Sequence, residues 1–565
     1  MLERHTGRKL SAGSLLREEH GNLYRPGGNV KAVLVFPNSY YLGMSSLGFQ
    51  VVCHEINQHP DASCERAFLE ESQESCVSFE TRQPLSGFDI IGFSVSFELD
   101  YFNVLRALHT AKIPLKAKDR GSEDPVIIAG GICASFNPEP LASFMDAFVV
   151  GDGEEAVHDV IYEYQDWRST RKDRHDLLLR LSAIRGVYVP LLYDVAYRED
   201  GILSGIYPQR DVKPKIERRI VSELDKFDAT SKILTPNTEF VNTFLVEVIR
   251  GCAHRCRFCV SSHIQGCRIR SAEKVLEAIS GSDLLAQARS ADRPYRIGLV
   301  GSSVTDHSQI DKIATSLVDA GNRISIASMR ADSVSDALLD ALASSDQETI
   351  TLAPEAASDR LRRAIGKDIP LEAVFQVIKL ALKKGITNVK LYFMVGLPAE
   401  TPEDVDSIIT VVERIRRLMF TSPRPLASKL PRLTISISPF VPKPHIPFQW
   451  LPMEDVEILS RKIQLLNRGL KKIGGVRVTS TSARWSAVQG VLSRGDRRLA
   501  DVLYDMQVRG LSWNGSLKKN GLSQEFYLYR ARRFDELLPW DHLEAGISKA
   551  RLMEQFKCAQ SSFIV

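Results

Sequence analysis

No uninterrupted apolar run in these 565 residues approaches the ~18 residues that a membrane-crossing helix needs, so no membrane span is expected. Net charge is nearly absent as well. The 73 Lys and Arg against 69 Asp and Glu leave +4, so bulk electrostatics call for neither a nucleic acid nor a membrane surface. The basic runs Arg494/Arg497/Arg498 and Arg530/Arg532/Arg533 are expected to be solvated helix faces. A disulfide framework is also lacking. Of nine cysteines, Cys53, Cys64, Cys76, Cys133, Cys267 and Cys558 have no ligand-like spacing and read as reduced thiols, which suits the cytoplasm. The opening stretch MLERHTGRKLSAGSLL has no sustained apolar core, so no targeting segment is expected there.

The remaining three cysteines crowd into one short loop, Gly251-Cys252-Ala253-His254-Arg255-Cys256-Arg257-Phe258-Cys259. C-x3-C-x2-C supplies three thiolates. Three ligands on a [4Fe-4S] cluster leave one iron open, whereas a closed structural site needs a fourth protein ligand. Zinc bound by Cys252, Cys256 and Cys259 with Cys267 or His263 as fourth ligand is the competing reading. With either metal the loop can also belong to a non-catalytic module.

The rest of the chain alternates short apolar runs with amphipathic stretches. In the first part, strands are expected at Ala32–Phe36, Asp89–Val95, Val126–Ala129 and Ala147–Val150, with helices at Ser45–Ile56, Tyr101–Ala111 and Glu154–Tyr164. Such alternation implies a doubly wound, mainly parallel α/β sheet whose ligands sit beyond the carboxyl ends of the strands. Gly130-Gly131 and Gly151-Asp152-Gly153-Glu154 fall there, either as ligand-approach loops or as plain turns. Residues 166–240 read as a linker or packing arm, with an exposed helix across Asp166–Asp176.

From Phe244 a second series begins. Strands are expected at Phe244–Ile249, Tyr295–Val300, Arg323–Ala327, Glu348–Leu352, Asn388–Val395 and Leu433–Ser438, separated by helices at Ala272–Ala288, Gln309–Asp319, Ser335–Ala343, Ser358–Lys384 and Pro402–Leu418. Six βα units suggest a partial (β/α)6 TIM barrel with the cysteine loop at a strand's carboxyl end, where barrel chemistry resides. A helix at Met453–Ile473 closes this core, and a C-terminal extension with helical stretches follows. The expected domains are 1–165, the arm 166–240, the core 241–475 and the extension 476–565.

The cysteine spacing, with Phe258 before the third cysteine, resembles the radical S-adenosylmethionine (SAM) superfamily. Further stretches resemble the cobalamin-binding-type domain that precedes many such cores, closest to a poorly characterised bacterial family of these fusions. They are Asn38–Gly48, Cys64-Glu65-Arg66-Ala67-Phe68, Gly130-Gly131, Asn137-Pro138-Glu139-Pro140, Gly151-Asp152-Gly153-Glu154, Tyr188-Val189-Pro190, Leu492–Arg498 and Leu538–Asp541. The Asp-x-His-x-x-Gly loop that would offer cobalt a histidine is absent from the chain.

The resemblance implies reductive cleavage of SAM to a 5'-deoxyadenosyl radical, with Cys252, Cys256 and Cys259 on the [4Fe-4S] cluster. The iron left open would chelate SAM through its amino and carboxylate groups. Gly301, Ser302 and Ser303 stand at the SAM amino-group motif, without its usual acidic residue. Arg330 is the expected cation for the SAM carboxylate, Glu355 a ribose or amino contact, and Gly396 and Pro398 part of the adenine side. An electron donor such as flavodoxin or ferredoxin is implied, and methyl transfer follows if cobalamin binds. The substrate stays open among RNA, peptide, lipid and small molecule, and a companion subunit is compatible with the tail.

Overall fold

The computed structural model describes residues 10–70, 75–170, 172–423, 425, 430–561 and 563. Residues 1–9, the start of the stretch examined for a targeting segment, lie outside these. Among the described residues no helix is long and apolar enough to cross a membrane.

The first sheet has six strands: β1 (Val30–Phe36), β2 (Ala62–Phe68), β3 (Ile90–Ser94), β4 (Val126–Gly130), β5 (Ala147–Val149) and β6 (Val187–Tyr188). Their order is β2-β1-β3-β4-β5-β6, parallel throughout except for β6, which runs antiparallel on β5. The order reverses between β1 and β3, and such a switch point opens a crevice at the carboxyl edge. Helices Leu47–Gln58 and Ala156–Thr170 pack together over one face of the sheet.

Strand β2 escapes the hydrophobic pattern because Glu65 and Arg66 sit inside it. All seven of its residues are buried, and the two charges are satisfied internally. Glu65 accepts hydrogen bonds from Thr81, while Arg66 bonds Glu80 and, with two parallel contacts of 2.7 Å, Glu19. The helix expected across Asp166–Asp176 is instead the end of Ala156–Thr170 and the start of Arg174–Ala183. The Asp173 side chain accepts from the Asp176 N–H and restarts the helix.

The core sheet contains β7 (Thr243–Arg250), β8 (Arg268–Ile269), β9 (Arg296–Gly301), β10 (Ile324–Ile326), β11 (Thr349–Glu355), β12 (Asn388–Val395), β13 (Arg432–Pro439) and β14 (Val476–Ser480). The six expected strands pair in parallel sequence, β7-β9-β10 and β11-β12-β13, and one Met329–Leu352 bridge joins the two halves. Strand β14 adds a seventh parallel member beside β13, and the two-residue β8 runs antiparallel at the other edge. Residues 476–480 look polar because β14 is an edge strand with exposed Arg477, Thr479 and Ser480. The single helix expected over Ala272–Ala288 breaks at Gly281, and Ser282 caps the second piece.

The tail is helical at Ala483–Arg494, Leu499–Arg509, Trp513–Lys519 and Lys549–Ser561, whereas Leu538–Asp541 forms turns. Of its basic runs only Arg533 is a solvated residue, paired with Asp535; the others turn partly or wholly inward. Arg494 and Arg532 are buried, and Arg497 reaches Glu139 Oε2 at 3.0 Å. Glu139 also accepts 2.6 Å from the Tyr188 hydroxyl, and Asn137 Nδ2 donates to the carbonyls of Ser493 and Gly495. The stretches around Asn137 and Tyr188 in the first part of the chain and around Arg497, 309 residues beyond Tyr188, thus form one buried knot that clamps the first domain to the tail. Charge pairs compensate the desolvation that buried polar groups cost.

Candidate functional site

Strand β7 delivers the cysteine loop at the end of the core facing the first domain. Gly251 makes the turn possible. Its φ is +73°, and a Cβ there would lie 1.9 Å from the Gly266 carbonyl oxygen, so no side chain fits. The loop is held from outside: the Arg257 N–H donates to the Ile365 carbonyl at 2.9 Å, and the Arg257 guanidinium donates to the carbonyls of Arg363 and Ala364. His263 bonds the Cys259 carbonyl at 3.0 Å through Nδ1 and Gln555 at 3.1 Å through Nε2, which leaves neither nitrogen for a metal. Cys267 is exposed.

Cys256 is buried, and Cys252 and Cys259 are partly buried. Burial pushes the Cys256 thiol up to about 12, with Lys367 and Arg330 opposing the rise and the neighbouring Cys259 and Cys252 adding to it. Burial likewise raises Cys252. Cys256 and Cys252, both costly to ionise without a nearby cation, lie beside Cys259, an arrangement that suits a positively charged metal centre.

The spacing bears on which metal fits. A single tetrahedral zinc with 2.3 Å bonds needs sulfurs about 3.8 Å apart. Among the described residues, the group whose ligand atoms lie within 4.8 Å of one another is Cys252, His254 and Asp306, not the three cysteines. The three cysteine sulfurs are not all gathered within that distance of one another.

The other expected residues occupy successive strand ends. Gly301 ends β9, where a Cβ would strike Ile249 at 2.3 Å, so glycine permits the close approach to β7. The Ser302 hydroxyl is 3.2 Å from that of Ser261 in the short helix Val260–Ile264 that follows the cysteine loop, and the buried Ser303 hydroxyl has no partner among the described residues. Arg330 follows β10, pairs with Asp332 at 2.8 Å and acts electrostatically on Cys252 and Cys256. Glu355 ends β11 at a positive φ of 65° and is raised by burial, opposed by Lys367, whose Nζ is 2.9 Å away.

Gly396 turns the chain after β12 at φ +78°, packs against Leu459, and donates its N–H to Glu400 at 2.8 Å; Pro398 follows in the same turn. Lys367 was missed by sequence reasoning. It lies in a polar stretch after helix Asp359–Ala364, and only its return to Glu355 and Cys256 reveals it.

A cavity of about 470 Å³ begins inside the first domain and reaches this site. Its inner part is a slot between Leu34, Ile90 and Ile128 of the sheet and Phe49, Val157 and Ile161 of the two covering helices. Its outer part meets Arg250, Gly251, Gly301 and Ser302. Two glycines keep it open. A Cβ on Gly48 would touch nothing within 4 Å, and one on Gly130 would meet only Val149, at 4.0 Å. Among the described residues no histidine lines it. The Gly151–Glu154 turn serves both as wall and as bolt: Asp152 pairs with Arg268, Arg250 and Arg218, and Glu154 pairs with Arg250 at 2.6 Å.

The chain is 28% identical over 514 residues to an uncharacterized protein of Methanocaldococcus jannaschii, covering 90% of this chain and 98% of that protein. It is 25% identical over 326 residues to an uncharacterized methyltransferase of Pyrococcus horikoshii, covering 55% of this chain and 62% of that one. Among solved structures, the radical SAM methyltransferase TsrM from Kitasatospora setae, with tryptophan and a SAM analog bound, aligns over 72% of each chain at 14% identity and a TM-score of 0.46. Residues 48–190 match the N-terminal family of radical SAM proteins, and residues 246–412 match the radical SAM superfamily, spanning the cysteine loop and five of the seven parallel core strands. The chain belongs to the radical SAM superfamily, whose enzymes work with a [4Fe-4S] cluster and S-adenosylmethionine.

Proposed function

We propose that this enzyme cleaves SAM at a [4Fe-4S] cluster held by Cys252, Cys256 and Cys259, and that it uses a cobalamin in the interdomain cavity to transfer a methyl group to an unactivated carbon. The observation that carries the second half is the cavity itself, which joins an apolar slot at the first domain's switch point to the rim of the cysteine loop. Among the described residues its lining contains no histidine, so cobalamin would bind there without an imidazole from them. The methyltransferase name of the Pyrococcus horikoshii relative supports the same reaction class.

When bound, the cluster supplies the electron that splits the sulfonium of SAM into methionine and a 5'-deoxyadenosyl radical, and cobalamin supplies a methyl carrier. The protein's own groups bind and orient. Arg330 and Lys367 are the cations for the SAM carboxylate and ease ionisation of the buried thiols. Ser302 and the unpartnered Ser303 accept from the SAM amino group, Glu355 accepts from amino or ribose, and the turn at Gly396 and Pro398 walls the adenine. An electron donor of the flavodoxin or ferredoxin kind reduces the cluster. Six further unpaired thiols beside an oxygen-sensitive cluster suit a reducing, cytoplasmic setting. The four-part division at residues 165, 240 and 475 remains our proposal for the domain limits.

Anaerobic reconstitution with iron, sulfide and hydroxocobalamin tests this. The expected product carries about four irons and one cobalamin per chain, and Gly130→Leu loses the cobalamin while keeping the iron. Formation of 5'-deoxyadenosine without any cobalamin uptake removes methyl transfer and leaves hydrogen abstraction. A second reading rests on Cys252, His254 and Asp306, whose ligand atoms gather within 4.8 Å. A zinc module of that kind would retain zinc, show no visible absorbance and give no 5'-deoxyadenosine.

A further inference from the structure

The edge of the core farthest in strand order from the cysteine loop carries a charge pattern that the site does not use. Between Glu457 and Asp496 the chain has no acidic residue. Over the same span Arg461, Arg468, Lys471, Lys472, Arg477 and Arg484 are exposed, and none of the six pairs with a carboxylate among the described residues. Helix Val456–Lys471 carries three of them downward, β14 returns Arg477 upward, and helix Ala483–Arg494 opens with Arg484.

Because β14 runs parallel to β13, its end at Ser480 lies at the same end of the core as the other strand ends, so Arg484 and Trp485 stand at the mouth. Trp485 is 53% exposed there. Its neighbour one turn on, Gln489, donates to the buried Glu98 of the first domain at 2.9 Å, which fixes this mouth face against the other domain.

One cation on an edge strand is an ordinary guard against unwanted strand pairing. Six unpaired cations on three elements, ending at an exposed indole, exceed that need. The five residues of β14 alone span about 17 Å, room for four or five phosphates at the roughly 3.4 Å spacing of stacked nucleotides. An aromatic face beside a cationic track is how single-stranded nucleic acid is held. An acidic redox protein is the less suitable occupant, because β14 is the last of the seven parallel strands and the cysteines follow the first.

We infer that this edge, from Lys471 to Trp485, binds a single-stranded segment of RNA and leads it to the mouth, so that the enzyme's substrate is a nucleotide within RNA. This deepens the radical SAM reading and rests on it.

The test measures anisotropy of a fluorescein-labelled single-stranded RNA 20-mer with the cluster-loaded full chain across a salt series. The wild type is expected to bind in the micromolar range or tighter, with affinity falling steeply in salt. The triple variant Arg468→Glu/Lys471→Glu/Arg477→Glu is expected to bind at least about 30-fold more weakly, with a salt slope shallower by about 2, the value for three lost phosphate contacts on a single strand. Trp485→Ala is expected to lose about tenfold with its slope unchanged.

Wild-type affinity weaker than about 100 µM at moderate salt, equal displacement by polyglutamate, or a triple variant that binds RNA like the wild type would each overturn the inference. So would a triple variant that keeps RNA affinity but loses turnover with flavodoxin, which would make the edge a protein dock. Iron content and dithionite-driven 5'-deoxyadenosine formation are read in parallel. Both are expected unchanged in the triple variant, and their absence in the wild type would strike the radical reading while leaving the RNA measurement standing.

Discussion

The pair Glu355–Lys367 offers the sharpest check on how the site is built. Its atoms lie 2.9 Å apart and each side chain is 13% exposed. At an effective dielectric near 20, a pair at that distance is worth about 6 kcal/mol of Coulomb attraction, most of it offset by the desolvation of both ions. Lys367→Met leaves a buried carboxylate at a residue already held at positive φ, so a loss of about 3–5 kcal/mol is expected. Replacing both partners, Glu355→Gln with Lys367→Met, removes the stranded charge and should cost less than the single change.

Denaturant unfolding of the four proteins of this cycle, with iron counted in each, measures the coupling. SAM titration of the reduced cluster, followed by its paramagnetic spectrum, should show Lys367→Met weaker by at least about tenfold, or 1.4 kcal/mol. Additive losses, or a double variant less stable than Lys367→Met, would refute the claim that the two side chains neutralise each other beside the thiols.

Gly251→Ala should destabilise by more than about 2 kcal/mol, since its Cβ would lie 1.9 Å from a backbone oxygen, and it should cut cluster iron measured after reconstitution. Asp100 is raised to about 6 by burial, with the Asn38 amide opposing from 2.7 Å. A carboxyl raised above its unfolded value of 3.8 binds more protons when folded, so it removes stability as pH climbs from about 4 to 6. The two-unit shift corresponds to about 3 kcal/mol, and Asp100→Asn should flatten that slope and raise Tm at pH 7.5. Glu139→Leu strands Arg497 in the knot between the first domain and the tail, and should lower stability by about 3–5 kcal/mol while Arg66 and its two carboxylates stay intact. Proteolysis should then separate the tail first.

How much was legible depended on what each segment had to satisfy locally. The strands of the core announce themselves because each must bury at least one face: Phe244–Ile249 is apolar except for Glu247, and Asn388–Val395 buries every second residue, Val389, Leu391, Phe393 and Val395. The cysteine loop is legible because ligand spacing is a covalent property of the chain. Strand β2 and strand β14 were not. The first hides Glu65 and Arg66 behind partners supplied by residues 19, 80 and 81, and the second sits at an edge where polarity is permitted.

The same division runs through the site. Sequence alone placed three closely spaced cysteines just beyond the carboxyl end of a parallel core strand, because spacing and apolar patterning are local properties of the chain. Only the tertiary structure decided that Lys367 returns to Glu355, that His263 is spent on Cys259 and Gln555, and that the basic runs near Arg494 turn inward. It also decided that the apolar slot of the first domain opens onto Gly251 and Ser302, since a cavity between domains depends on contacts among residues far apart in the chain, each of which is silent until the others are in place.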